Sequence, residues 1–413
     1  MPWAILGIEN YQIRIKEIIL ISILFFLILD HLNGRKLIID DSVKIYFCFI
    51  LVCSFYTLIQ FNNLEKFQDI SFVTHVFIFT LFNFFIYFII FNLNLENFNF
   101  KNFINLFLII YICIFIYFVI HSINIHTLGQ LHNERLNMSI GGFYTIENEL
   151  IGEGKIKVYI GGPNGRSWFF LIISSFFVGY FKNEKQFIRA LIPILMSLLF
   201  SYLSLSRGAV LFSFILLILY FSSFLKLTNL NRLFYFIILI FLTISIFSYS
   251  LLKSSDLNLV IDKVMNKKKG LSNRDKLVFE SIDVIVNDYF LGRGFHATHM
   301  DKKELRSEGY YALGNNNTQN TILSIFIELG ILGVVLFLSF WILIYIKISK
   351  SINRLKLSIH QSYLSGVKLM ILFLFFASMF NHFLEKNFVV MPIYIILIAM
   401  AVNIKSFNYR KLN

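Results

Sequence analysis

The sequence predicts an all-α polytopic integral membrane protein, and three observations carry that prediction. Hydrophobic residues make up 57% of the 413 positions and charged residues only 15%. Mean hydropathy is +0.71, more apolar surface than a soluble domain can bury but an ordinary load for a bilayer. Apolar runs of membrane-crossing length recur along most of the chain, separated by polar loops.

Taken in order, the runs fall at about 15–30, 45–61, 71–93, 103–122, 167–182, 187–205, 208–228, 233–252, 321–346, 367–384 and 388–404. They amount to about 11 (10–12) transmembrane helices. With only four prolines in the chain, these helices are expected to run mostly uninterrupted. The chain reads as a single membrane domain, 1–413, with a first outer loop at 123–166 and a large outer loop at 253–320 between helices eight and nine. Within the large loop, Asp275 to Asp288 places Leu277, Val278, Ile282, Ile285 and Val286 at helical spacing. This predicts an amphipathic helix, either lying over the membrane domain or closing a short self-packed subdomain.

Orientation follows from the short loops. Arg35, Lys36 and Lys44, then Lys182, Lys185 and Arg189, then Lys347, Lys350, Arg354 and Lys356, and the tail Lys405, Arg410 and Lys411 form one basic set. The opposite loops near 62–70 and 385–387 hold only Lys66 and Lys386. The basic set is therefore expected in the cytoplasm, which puts both long loops outside. Topogenic lysines and arginines account for most of the +13 net charge, so nucleic acid is not expected as a partner. The positive charge in the large outer loop suits an anionic substrate instead. Cys48, Cys53 and Cys113 all fall in expected spans and make no disulfide framework or metal-ligand spacing. The first apolar run lacks a small-residue cleavage site, so no cleavable signal peptide is expected.

Four polar clusters gather on the outer side. Gly161 to Trp168 (GGPNGRSW) makes a turn into helix five, where Asn164 and Arg166 offer donors at a helix start. Ser204 to Ala209 (SLSRGA) sets Arg207 between two apolar helices, placed either to snorkel or to hold an anion. Leu271 to Asp275 (LSNRD) brings Arg274 to the start of the amphipathic segment, and NDYFLGRGF follows, with Gly292 and Gly294 flanking Arg293 in a tight turn. His296 and His299 lie in the same loop. Last comes Asn315 to Gly333 (NNNTQNTILSIFIELGILG), where Gln319 and Asn320 precede an apolar helix carrying Glu328, Gly330 and Gly333. An ionisable residue in an apolar span is a functional candidate, and the glycines suit close helix packing.

The order of these clusters is more specific than any one of them. Pro-Asn at a helix start, S-R-G between spans, an arginine opening a large outer loop, a G-x-G, then N-x-x-L…E-x-G-x-x-G resembles the O-antigen ligase/O-antigen polymerase superfamily. The resemblance covers roughly residues 160–345. It implies a GT-C-like polytopic glycosyltransferase of the bacterial inner membrane with its active site facing the periplasm or outside. It implies a donor glycan on undecaprenyl pyrophosphate, no cofactor and no metal, with membrane lipids and a chain-length regulator protein as further partners. Arg207 and Arg274 look like the family's pyrophosphate-gripping arginines, while Gln319 and Glu328 are the other catalytic candidates. Asn164, Arg166, Arg293, His296, His299 and Asn320 are expected to bind substrate. The sequence departs from the family at Gln319, where the family commonly has a histidine proposed to activate the acceptor hydroxyl. A glutamine amide can orient a hydroxyl but takes up no proton near neutral pH. Proton removal then falls to Glu328, His296 or His299, or a good leaving group dispenses with a strong base. The expected function is an O-antigen or capsule repeat-unit polymerase. The alternatives are a ligase that moves finished chains to lipid A–core, and a lipid-linked oligosaccharide flippase.

Overall fold

The computed structural model describes residues 37–127, 163–224, 272–353 and 355–410, with interruptions at 64–66, 94, 96–97, 204–206, 288–290, 296–301, 316–317, 319, 356–357 and 381–390. Among the described residues every regular element is a helix. The helices are α1 (Asp41–Asn63), α2 (Phe67–Asn92), α3 (Phe100–Thr127), α4 (Pro163–Asn183), α5 (Phe187–Leu203), α6 (Arg207–Phe224), α7 (Ser272–Asn287), α8 (Lys302–Ser307), α9 (Tyr311–Asn315), α10 (Thr321–Ile352), α11 (Ser358–Phe380) and α12 (Met391–Arg410). Among the described residues, four segments are long and apolar enough to cross a membrane: Asp41–Ile59, Phe100–Val119, Thr321–Ile352 and Ile359–Met379. Val76–Asn92, Phe187–Ser201, Gly208–Ser222 and Met391–Ile404 are shorter apolar helices. The chain is thus a multi-pass helical membrane protein, and the expected spans at 15–30 and 233–252 lie outside the described residues.

The chain divides into two compact units. The first, Met1–Ile104 with Ser281–Asn413, packs α10 against α1, α11 and α12, and α2 against α1 and α12. One end of this unit is held by polar side chains. Asp40 caps α1, its Oδ1 accepting from the backbone N–H of Ser42 at 2.9 Å and of Val43 at 3.1 Å. Its Oδ2 receives the Lys347 ammonium of α10 at 2.5 Å. Asn403 Nδ2 of α12 donates to the carbonyls of Ile90 and Leu93, each at 2.8 Å, tying α12 to the end of α2.

The second unit, Asn105–Glu280, has α4 packed against both α5 and α6, which also pack on each other. From Gly165 to Phe181 every residue of α4 is buried, the mark of a helix surrounded on all sides. Its serines are matched rather than exposed: Ser174 Oγ donates to the Pro193 carbonyl at 2.6 Å and shares a 2.8 Å hydrogen bond with the Tyr111 hydroxyl. Ser197 and Ser213 join α5 to α6 at 2.9 Å.

Three expectations change. The span expected at 367–384 is the helix Ser358–Phe380. Its polar first turns are paired, Gln361 Nε2 donating to the Ile352 carbonyl at 3.3 Å and the Tyr363 hydroxyl to the Leu397 carbonyl at 3.0 Å. The amphipathic helix exists, as Ser272–Asn287, but its buried seam is Leu277, Ser281, Val284 and Ile285, whereas Val278, Ile282 and Val286 are exposed. The helix expected to run uninterrupted through 321–346 is broken at Gly330, which has φ 65° and ψ −165°. The scarcity of proline did not protect it, because glycine reaches positive φ without a steric penalty.

Candidate functional site

The break in α10 falls within the first unit. A helix interrupted inside an apolar span leaves carbonyls that lipid cannot satisfy. Here a loop supplies the donors: the N–H of Arg293 donates to the Ile327 carbonyl at 2.8 Å, and the N–H of Gly294 to the Glu328 carbonyl at 3.0 Å. On its other side the loop is tied to α1, since the Phe295 N–H donates to the Tyr56 carbonyl at 3.4 Å and the Tyr56 hydroxyl donates to the Leu291 carbonyl. Gly292 has φ 94°, and a Cβ there would fall 2.5 Å from the Gly330 nitrogen and 2.7 Å from the Leu329 carbonyl carbon. The sequence Gly-Arg-Gly is therefore more than a turn: its first glycine lets two backbones touch.

The side chains around the break are engaged with one another. Glu328 is 1% exposed, and Ser324 Oγ donates to its Oε1 at 3.1 Å. Arg293 forks onto Glu308, with Nη2 to Oε1 at 3.0 Å and Nη1 to Oε2 at 3.4 Å. Its side chain is nearly buried, which strengthens such a pair and makes its loss costly. Asn320 caps α10, its Oδ1 accepting from the N–H of Ile322 at 2.9 Å and of Leu323 at 3.1 Å. The oxygen of this expected substrate contact is thus committed to starting the helix. Gly333, expected to serve helix packing, clears its own helix: a Cβ there would lie 2.2 Å from Leu329 Cβ.

In the second unit the first two sequence clusters meet. The Arg166 guanidinium lies in the first turn of α4, buried, with its carbon 5.3 Å from the centre of the Phe118 ring. Two residues on, Trp168 packs against the start of α6, and a Cβ on Gly208 would sit 3.0 Å from its ring. Trp168 also lies 5.5 Å from the Phe212 ring. This contact sets the backbone of Arg207, the first residue of α6, beside the turn that carries Arg166. It also gives the glycine of S-R-G a reason, since a Cβ there would crowd the indole.

Arg274 lies in the first turn of α7. Gln319, His296 and His299 fall outside the described residues, as do the side chains of Asn164, Arg207 and Arg274. Among the described residues no three His, Cys, Asp or Glu side chains gather to hold a metal ion. Tyr56, Ser324 and Glu308 are the residues that sequence reasoning missed. Only Glu308 left a signal, as a carboxylate in the same loop as Arg293. No curated protein matches the chain. Residues 192–338, from α5 to just past the break in α10, match the family model Wzy_C, described as O-antigen ligase.

Proposed function

We propose that the chain is a glycosyltransferase that polymerises oligosaccharide repeat units of an O-antigen or capsule at the outer face of a bacterial inner membrane. The observation that carries this reading is the family match across residues 192–338, which holds Arg207, Arg274, the Gly-Arg-Gly loop and the Gln319–Gly333 stretch in one block. The donor is a glycan on undecaprenyl pyrophosphate and the acceptor is a sugar hydroxyl of a second lipid-linked unit. A chain-length regulator protein is the partner such an enzyme needs to set product length. The acceptor oxygen attacks the anomeric carbon, the bond from that carbon to the pyrophosphate oxygen breaks, and the pyrophosphate leaves with the electron pair. Arg207 and Arg274 meet the negative charge that grows on the leaving group, the kind of electrostatic stabilisation that dominates many transferases. Glu328 is sealed at 1% exposure and hydrogen-bonded by Ser324, which suits a positioning residue beneath the loop. The acceptor proton then passes to His296, the residue after Phe295, or to His299, three positions further along the same loop.

A ligase that moves finished chains to lipid A–core is the second reading, favoured by the description of the matched family model. Deleting the gene and running the surface polysaccharide on a gel separates the two. Polymerase loss removes the ladder and leaves a single repeat on the core. Ligase loss removes all attached chains and lets long chains accumulate on undecaprenyl pyrophosphate. Single repeats stranded on the cytoplasmic face would overturn both readings in favour of transport.

A further inference from the structure

The first unit encloses a cavity of about 60 Å³ between α1, α2, α10 and α12. Its wall is largely aromatic, with Tyr46, Phe49, Phe337 and Phe340, and no charged side chain lines it. Two of its lining residues are buried polar side chains with an unpaired atom. Asn83 on α2 and Trp341 on α10 are 5% and 7% exposed. Neither Asn83 Oδ1 nor Trp341 Nε1 has a hydrogen-bond partner. Buried polar atoms are nearly always paired, so two orphans on one cavity ask for an occupant.

Their chemistry is complementary. The amide oxygen only accepts and the indole N–H only donates. One hydroxyl group satisfies both, accepting from Trp341 and donating to Asn83. An anionic group does not fit, because it brings no proton for Asn83 and meets no cation. Water is a poor occupant by volume. A buried water needs about 10–15 Å³ on this measure and two to four polar partners, so the space would take about four to six waters with only two unpaired atoms to anchor them. A single hydroxyl with an apolar body matches both the polar pair and the remaining wall.

We propose that this cavity binds the hydroxyl head of an uncharged alcohol-type lipid, with the hydroxyl bridging Asn83 Oδ1 and Trp341 Nε1 and the chain lying along the aromatic wall. Phe295 and Leu329 also line the cavity. They flank the loop and the break in α10, so an occupant buttresses the contact that holds the broken helix.

The test uses the full chain in detergent with 5-fluorotryptophan at its three tryptophans. The ¹⁹F signal of Trp341 is assigned with Trp341→Phe. The protein is titrated with 1-decanol and, separately, with decane. The expected result is a saturable shift of the Trp341 signal by decanol, with decane at least about fivefold weaker, the worth of roughly one hydrogen bond. Asn83→Leu should erase that preference while keeping weak binding of both probes. Equal effects of the two probes would overturn the proposal, as would no saturable shift, the outcome for a cavity holding only water. The comparison of probes on the wild-type chain stands even if the Asn83 variant does not fold.

Discussion

Gly292→Ala is the substitution whose consequence the structure fixes most tightly. Two costs add. Alanine at φ 94° is strained, by about 1–3 kcal/mol for a sparsely populated backbone region. The added Cβ also meets the Gly330 nitrogen at 2.5 Å, the Leu329 carbonyl carbon at 2.7 Å and the Glu328 oxygen at 3.0 Å. All three are backbone atoms, so no flexible side chain can move aside. Overpacking of this kind costs about 1–3 kcal/mol. Relief by separation would stretch the hydrogen bonds from Arg293 and Gly294, at about 0.5–1.5 kcal/mol each. The total, about 2–6 kcal/mol, is a large part of the stability of a typical domain. Gly309 provides the control, since it has φ 96° and nothing within 4 Å of a built Cβ. Gly309→Ala should therefore pay the backbone strain alone. The assay is thermal unfolding of both variants in detergent, followed by retention of the monodisperse peak after heating. Gly292→Ala should unfold at a clearly lower temperature than Gly309→Ala. Equal unfolding temperatures would refute the claim that the loop and the broken helix are in backbone contact.

The remaining predictions concern charge and chemistry. Burial alone would push the Asp40 carboxyl up, but hydrogen bonds from Lys347 and Ser42 outweigh it and hold the group below the ordinary carboxylate range. The folded carboxyl then keeps its charge to lower pH than the unfolded one, so the stabilisation is present above about pH 3.9 and is lost as pH falls through the folded value. Asp40→Asn keeps the capping oxygen and removes the ion pair, so it should cost about 1.5–3 kcal/mol at neutral pH. The gap in unfolding temperature from wild type should close below about pH 3.9. Arg207→Ala and Arg274→Ala should each lower product formation on the order of 100-fold or more while the protein stays in the membrane, measured as polysaccharide ladder against membrane protein level. Gln319→His should be tolerated if position 319 only touches the acceptor; a folded but inactive variant would demand a glutamine-specific contact.

Spans were the most legible feature because their signal is local. A run of apolar residues long enough for a bilayer needs no partner to be recognised, and the helices from Asp41 to Phe224 begin and end within a few residues of expectation where they are described. The start of α11 was misread because Gln361 and Ser362, ahead of the expected start at 367, look like loop residues. The first turns are held by partners outside the helix, Gln361 Nε2 donating to the Ile352 carbonyl and the Tyr363 hydroxyl to the Leu397 carbonyl, which composition does not reveal. The Gly-Arg-Gly motif read as a turn, since positive φ is visible in a glycine but the backbone it must touch is not. The bond from the Tyr56 hydroxyl to the Leu291 carbonyl spans 235 positions, and the pair between Lys347 and Asp40 spans 307. Nothing near either residue announces such contacts. Asn320 was noticed for its neighbourhood with Gln319, and the same position, an asparagine just ahead of an apolar run, is also an ordinary helix start.

The glycines of the motif by which the resemblance is recognised have an architectural cause. In E-L-G-I-L-G the Glu328 carbonyl accepts from the loop, Gly330 breaks the helix, and Gly333 keeps clear of the Leu329 side chain. A broken helix in a membrane requires a donor for each freed carbonyl, and Gly292 allows the loop to bring two. These residues belong together because one without the others leaves backbone unpaired or in collision, whatever reaction the protein performs. Their presence therefore says that the chain builds this joint, and says little about sugar transfer. Sugar transfer is tested instead at Arg207 and Arg274, the residues proposed to meet the pyrophosphate. The two groups should fail differently: Gly292→Ala through folding, and the arginine variants through product formation in a protein that remains intact.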